Sequence, residues 1–184
     1  MEILAAPAAR HAGFTLVEAV IGLAVLTLLL TLGIPAFREL IIRNSMAAAR
    51  NTVVSQLHLA RSEALKRRCK TILCPSEDGH SCLSEYEWQS GILVFTDLNG
   101  NKKPDEEEPL LRYQQFDDTD IRIITSTGRR RIAYRPDGMA FGYNATFTFC
   151  DTRQQLPPQG ILVSNSGRPR LTDKKSDGEP LSCE

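Results

Sequence analysis

The longest apolar run in the chain lies near its N-terminus. Residues 14–34 read FTLVEAVIGLAVLTLLLTLGI and contain a single charged residue, Glu18. A helix of this length spans about 30 Å, which matches the hydrocarbon core of a bilayer. The run is longer than the apolar segment of a cleaved secretory signal peptide, and no cleavage site of small residues follows it. We therefore expect a membrane-spanning helix over residues 14–34.

The chain beyond Pro35 keeps a helical spacing but becomes amphipathic. Apolar residues recur at helical intervals, and basic residues cluster at 66–68, where cations suit a helix C-terminus. The pattern predicts that the helix continues over residues 35–68 and presents one apolar face that needs a partner. The predicted apolar face contains Met46, Val53, Leu57, Ala60 and Ala64, and the predicted polar side contains Arg43, Arg50, Gln56, Arg61 and Glu63.

The partner for that face is predicted over residues 69–184. Short β-type runs follow one another there, separated by turn residues such as Asn99-Gly100 and Pro136-Asp137-Gly138. A long helix followed by strands predicts an α+β fold in which the helix packs on an antiparallel β-sheet head. The runs are TILC (71–74), GILVF (91–95), PLLRY (109–113), IRIIT (121–125), RIAYR (131–135), TFTFC (146–150) and GILVS (160–164).

Composition narrows the function classes. The 184 residues carry 22 Lys and Arg against 22 Asp and Glu, so the formal net charge is zero. A globally basic nucleic-acid binder is therefore excluded, and any such role needs a local basic patch. The sequence also lacks the G-x-S-x-G, H-E-x-x-H and phosphate-loop motifs. We expect neither enzymatic activity nor a cofactor.

The residues around Glu18 carry a specific motif. Residues 10–18 read RHAGFTLVE, which resembles the processing site of type IV pilins and type II secretion pseudopilins. The resemblance implies that residues 1–13 are a leader, that prepilin peptidase cuts between Gly13 and Phe14, and that the new Phe14 amine is methylated. A carboxylate in a membrane helix costs about 2.5–3.5 kcal/mol on insertion scales. In such proteins the acid at this position pairs with the N-terminal amine of a neighbouring subunit during assembly.

Motifs in the head extend the resemblance over nearly the whole mature chain. In their order they look like the FimT/GspH family of minor pilins and pseudopilins. This implies the type IV pilin fold, a single pass through the bacterial inner membrane, and a head in the periplasm. It also implies later assembly with other pilin or pseudopilin subunits into a pilus or pseudopilus filament. The motifs are ARSEALKRR, LCPSEDGHSC, WxxGILVFxDxNG, RPDGM, TFTFC and SGRPR.

Five cysteines leave at least one thiol outside any set of intramolecular disulfides. An exported head meets an oxidising periplasm, where disulfides form and persist. Cys74 and Cys82 flank a short loop that a bridge would close. A bridge from Cys150 to Cys183 would tie down the C-terminal tail. Cys69 is then the remaining thiol.

Two metal sites are alternatives of lower weight. Three cysteines and a histidine within residues 69–82 offer zinc-type ligands, but their spacing is not that of a zinc finger or ribbon. Residues 97–108 space oxygen ligands as a calcium loop does, but Lys102 stands where such a loop has glycine. We expect a solvated hairpin loop and no metal at either place. The zinc set would be Cys69, Cys74, His80 and Cys82, and the calcium set Asp97, Asn99, Asn101, Asp105 and Glu108.

The C-terminal segment contains a local basic patch. Residues 167–170 read GRPR, and Pro169 restricts them to a sheet edge or a loop. Two guanidinium groups there can each grip phosphate oxygens with two hydrogen bonds. Composition alone favours a solvated tail whose arginines pair with nearby acids. The candidate DNA-binding residues are Arg168, Arg170, Lys174 and Lys175.

The same GRPR element is similar to that of FimT-type minor pilins, which bind DNA for natural transformation. The resemblance thus implies a minor pilin that binds DNA without sequence preference. The alternative is pseudopilin H of a type II secretion system, at the tip of a pseudopilus. The leader and helix cannot separate the two, because both systems use the same processing. The triplet Arg129, Arg130 and Arg131 adds to the patch only if it lies on the same face, which the sequence does not show.

Overall fold

The computed structural model describes residues 15–116 and 120–183. The expected leader over residues 1–13, its cleavage site at Gly13 and Phe14, and the methylated Phe14 lie outside these residues. Within the described part, one helix is followed by eight strands. The helix is α1 (Leu16–Arg67), and the strands are β1 (Lys70–Pro75), β2 (Ile92–Asp97), β3 (Leu110–Gln114), β4 (Ile121–Thr125), β5 (Ile132–Tyr134), β6 (Ala145–Asp151), β7 (Gln159–Val163) and β8 (Pro169–Thr172).

The chain divides into two compact units, of which the first is Met1–Glu39. Its described part is helical from Leu16 onward, and every residue from 15 to 39 is exposed. Thr15 caps the helix: its hydroxyl accepts the backbone N–H of Glu18 at 3.2 Å, and its own N–H donates to the Glu18 carboxylate at 3.4 Å. The one helix of the described part is α1, and by length and composition it is long and apolar enough to cross a membrane.

The second unit is Leu40–Glu184, and in it α1 buries one face. All five residues of the predicted apolar face are buried there. The prediction that Gln56 lies on the polar side of the helix is wrong, because this residue is 2% exposed and lies on the buried face. It stands three residues after Val53 and four before Ala60, and residues at these spacings share a helix face. The buried helical residues are Ile42, Met46, Ala49, Val53, Gln56, Leu57, Ala60 and Ala64.

The strands form two antiparallel sheets of four strands, where the sequence predicted one sheet. The first sheet has the order β3-β2-β1-β5 and the second has the order β4-β6-β7-β8. Each predicted β-run coincides with one of the strands β1–β7. The sequence predicts that the segment around Pro169 lies at a sheet edge or in a loop, and the structure has an edge strand there, β8, paired with residues 160–163 of β7. An edge tolerates Pro169, which has no backbone N–H to donate to a neighbour.

The main core lies where the buried face of α1 meets residues from both sheets. Trp88 is fully buried in it and packs edge-on against Phe147, with ring centroids 5.0 Å apart. The indole N–H donates to the Thr125 hydroxyl at 3.1 Å, so the polar atom of this large side chain is satisfied. A smaller cluster that includes Ile72 and Phe95 covers the opposite face of the first sheet, because alternate strand residues point to opposite faces.

Candidate functional site

The basic C-terminal element is built on the exposed edge of the second sheet. Arg170 lies in β8 opposite Leu162 of β7, and Arg168 directly precedes the strand. Both arginines are exposed. Within the described residues, no carboxylate pairs with either guanidinium. The tail is therefore not one whose arginines are neutralised by neighbouring acids of the described chain.

Gly167 fixes the point from which this element starts. It is buried and has a φ of +73°, a conformation that side chains disfavour. A Cβ at this position would collide with the carbonyl oxygen of Gly138 and lie 2.8 Å from the ring of Tyr134. The turn is also held to its neighbour by a hydrogen bond from the Ala140 N–H to the Asn165 carbonyl, 3.0 Å long. The element thus begins at a fixed position beside the loop of residues 135–144.

The lysines of the candidate site lie just beyond β8. Lys174 is exposed and Lys175 is half-buried. The backbone N–H of Lys175 donates to the Glu179 carbonyl at 2.7 Å, and the Thr172 hydroxyl donates to the Lys174 carbonyl at 2.8 Å. All four predicted residues thus lie in one short segment, residues 168–175, which contains the edge strand β8 and the residues just beyond it.

Two disulfides join the residue pairs that the sequence analysis expected. Cys74 is bonded to Cys82 with the Cα atoms 5.6 Å apart, and Cys150 to Cys183 with the Cα atoms 5.8 Å apart. The second bond anchors the tail to β6. Cys69 is half-buried and free, and burial raises the pKa of its thiol. The alternative of a zinc site does not fit this structure, because Cys74 and Cys82, two of its four proposed ligands, are bonded to each other.

The loop between β2 and β3 uses its acidic residues to close itself. Glu108 is buried, and its carboxylate accepts the backbone N–H groups of Leu98 at 2.7 Å and Asn99 at 3.3 Å. Asp105 accepts the side-chain amides of Asn99 at 2.6 Å and Asn101 at 2.7 Å. One oxygen atom of each carboxylate is thus engaged in hydrogen bonds within the loop, while the second Glu108 oxygen, Oε2, is buried without a hydrogen-bond partner among the described residues.

The structure also places basic residues that sequence reasoning did not assign. The arginines of residues 129–131 line a separate cleft with a volume of about 500 Å³, together with Tyr86, Lys102 and Tyr143. On α1, Arg50 lines a groove beside β8 together with Leu171 and other residues. Three consecutive arginines were visible in the sequence. Their neighbours in the cleft come from distant segments, which no local pattern brings together.

Known proteins match both the N-terminal segment and the head. Residues 8–34 match the prokaryotic N-terminal methylation motif, and residues 49–167 match the family described as type II transport protein GspH. No curated protein sequence matches the chain significantly.

Among solved structures, the fold resembles the type IV minor pilin FimU of Pseudomonas aeruginosa. One crystal form gives a TM-score of 0.59 and 20% identity over 77% of this chain and 97% of FimU. A second form gives a TM-score of 0.55 and 19% identity over 75% of this chain and 99% of that one. At this identity the likeness establishes the fold, a long N-terminal helix on antiparallel sheets.

Proposed function

Because the chain belongs to the type IV pilin-like GspH/FimT family, we propose that it is a minor pilin of a type IV pilus that binds DNA through its C-terminal basic element. Proteins of this family are structural subunits, so we infer a role in assembly and binding and no catalysis. The observation that carries the proposal is the pair of exposed guanidiniums at Arg168 and Arg170, for which the described residues supply no carboxylate partner.

The route into the filament follows from the N-terminal motif. In our proposal, prepilin peptidase removes residues 1–13, the Phe14 amine is methylated, and residues 14–34 hold the protein in the inner membrane with its head in the periplasm. The exposed apolar side chains of α1 support a lipid or subunit environment for this segment. The only groups that contact the Glu18 carboxylate within the described residues are those of Thr15, so a cation from a neighbouring subunit is its proposed partner.

DNA binding by the element would rest on phosphate contacts. Arginine forks fit phosphate oxygens in pairs, and such contacts carry no sequence information. Arg170 lies on an edge strand and Arg168 directly precedes it, next to a disulfide-anchored tail, and these positions reduce the conformational entropy that binding must remove. The affinity is therefore expected to be independent of sequence and to fall steeply with salt.

A second candidate function, that of a type II secretion pseudopilin, is supported by the family match. The family that matches residues 49–167 is described as a type II transport protein, which favours a pseudopilin H at the tip of a type II secretion pseudopilus. In that case the chain assembles in the same way but has no requirement for DNA. Deleting the gene would then abolish protein secretion and leave DNA uptake unchanged.

The DNA proposal is tested with the full-length protein in a neutral detergent. A labelled DNA duplex is titrated with the wild-type protein and with the Arg168→Gln, Arg170→Gln variant, and fluorescence anisotropy is recorded over a range of salt concentrations. We expect the wild type to bind and the variant to lose most of its affinity, with a salt slope smaller by about 2. Arg112→Gln, which changes an exposed arginine on β3, is the control and should bind as the wild type does. Equal binding by wild type and tail variant refutes the proposal.

A further inference from the structure

A cleft rich in arginine and tyrosine lies in the head, outside the C-terminal element. We call it the Arg-Tyr cleft; it has a volume of about 500 Å³. Four of its lining residues are cationic and none is acidic, although the whole chain has no net charge. Such a local excess of one sign creates a potential that attracts anions. The residues that line the cleft are Tyr86, Lys102, Gly128, Arg129, Arg130, Arg131 and Tyr143.

Neutral groups hold the three arginines of the cleft in place. Arg129 donates to the Gly142 carbonyl at 2.9 Å, and Arg131 donates to the Lys102 carbonyl at 2.6 Å. Arg130 lies over the ring of Tyr86, with its guanidinium carbon 5.2 Å from the ring centroid. Within the described chain, none of the three forms a salt bridge. Their charge is thus positioned in advance and is still available to a ligand.

The aromatic residues favour a nucleic acid over other anions. Tyr86 and Tyr143 are half-buried at the cleft and offer ring surface beside the guanidiniums. Arg130 also lowers the pKa of the Tyr86 hydroxyl through a hydrogen bond and its positive charge. Positive charge that contacts phosphates, next to aromatic rings on which bases stack, is the combination with which proteins bind single-stranded nucleic acids without sequence preference. A simple acidic segment would use the cations but would not need the rings.

The cleft and the C-terminal element are connected through one loop. On one side of the loop of residues 135–144, Gly138 packs against Gly167 and the Ala140 N–H binds the Asn165 carbonyl. On the other side, the Gly142 carbonyl and the Asn144 side chain accept hydrogen bonds from Arg129. The loop of residues 135–144 therefore contacts both the start of the GRPR element and an arginine of the Arg-Tyr cleft.

We propose that the Arg-Tyr cleft is a second phosphate-binding site, and that it holds the backbone of the same DNA strand or duplex that the C-terminal element contacts. The inference rests on the DNA binding proposed above, and it extends the binding surface from the edge of the second sheet to the loop before β5. In the cleft, the guanidiniums of Arg129 and Arg131 bind phosphate oxygens and the tyrosine rings lie against the sugar. Lys102 adds a long-range charge.

The test compares variants of the full-length protein in a neutral detergent, using a labelled 12-base single strand and a labelled 12-base-pair duplex as the probes. The first cleft variant is Arg129→Gln, Arg131→Gln. The second is Lys102→Gln, Arg130→Gln, which changes two exposed side chains and keeps the two anchored arginines. The tail variant Arg168→Gln, Arg170→Gln and the control Arg112→Gln are measured in parallel, and thermal unfolding verifies that all are folded. We expect each cleft variant to bind several-fold more weakly and the control to be unchanged. The salt slope should fall by about 2 in Arg129→Gln, Arg131→Gln, which loses two phosphate contacts, and by less in Lys102→Gln, Arg130→Gln.

The outcomes separate this inference from the proposed function. Wild-type affinity in both cleft variants, combined with loss in the tail variant, overturns the cleft and keeps the C-terminal element. Loss of affinity in the cleft variants, combined with wild-type affinity in the tail variant, overturns the C-terminal element and keeps the cleft. No binding by the wild type overturns both proposals. A further outcome is that polyglutamate displaces the labelled DNA as effectively as unlabelled DNA of equal charge does. That result overturns the cleft as a nucleic-acid site and assigns it to an acidic protein.

Discussion

Gly167 lies so close to the carbonyl oxygen of Gly138 that no side chain fits between them. The contact joins the turn before β8 to the loop of residues 135–144, two segments that both carry elements of the candidate DNA surface. Packing therefore requires a glycine at position 167 of the basic motif, and this close contact fixes the position of the arginines that follow.

Replacing Gly167 with alanine tests this contact. Gly167→Ala should lower the free energy of unfolding by about 1–3 kcal/mol, because the residue has a positive φ and the new methyl group collides with the backbone. DNA binding should weaken as well, since Arg168 moves with the turn. Chemical denaturation and the anisotropy titration measure the two effects.

Gly100→Ala is the matched control for that experiment. Gly100 has a similar φ of +81°, but no atom lies within 4 Å of the position that its Cβ would take. The difference in stability between the two variants therefore isolates the collision from the backbone strain. Equal losses in both variants would show that the contact with Gly138 contributes nothing.

Much of the fold was predictable because its signals are local. The apolar run, the helical spacing of Met46, Val53 and Leu57, and the β-type runs each predict their own element from neighbouring residues, and α1 and the strands β1–β7 lie where they were expected. The error at Gln56 came from residue type, since a polar side chain was assigned to the polar face although its helical position is on the apolar one.

The Arg-Tyr cleft was not predictable for a physical reason. Its contacts join residues far apart in sequence: Arg131 and Lys102 are separated by 29 positions, and Arg130 and Tyr86 by 44. Periodicity describes which face of an element is buried, but it says nothing about which loops meet. The division of the strands into two sheets is a similar case, because it depends on pairing between strands and not on the strands themselves.

The two disulfides should stabilise the head to different extents. Removing Cys150–Cys183 by serine substitution opens a loop with a separation of 33 residues, whereas Cys74–Cys82 closes only 8. Chain entropy predicts losses of about 4 kcal/mol and about 2.5 kcal/mol in the free energy of unfolding. Denaturant titration of the two double variants measures both values, and a larger loss for the shorter loop would contradict this account.

Asp78 should make the disulfide loop sensitive to acid. Hydrogen bonds from the His80 N–H and from the Ser81 side chain and N–H hold the pKa of the Asp78 carboxyl well below its usual range. A lowered pKa in the folded state means that the carboxylate stabilises the protein at neutral pH, and that this contribution is lost as the pH falls below about 4 towards the folded-state pKa. Asp78→Asn should therefore lower the melting temperature at pH 7 and flatten its decline in acid.

The control for this pH profile is Asp173→Asn. Asp173 is exposed, and its carboxylate accepts no hydrogen bond from the described residues, so its removal should leave the acid limb of the melting curve unchanged. Melting temperatures recorded from pH 7 down to pH 2 compare the three proteins. A parallel decline in wild type and Asp78→Asn would rule out the role of the hydrogen-bonded carboxylate.

Glu18 should be required for filament assembly and not for membrane insertion. Glu18→Ala removes the single charge from residues 14–34, which makes insertion easier, and it leaves Gly13 and Phe14 intact for processing. The variant should therefore be cleaved and retained in the membrane but absent from sheared filaments, because the proposed pairing requires a carboxylate for the neighbouring subunit's amine. Thr15→Ala, which removes the hydroxyl that contacts the carboxylate but keeps the charge, should still be incorporated. Immunoblots of membrane and filament fractions distinguish the cases, and normal incorporation of Glu18→Ala would disprove the pairing.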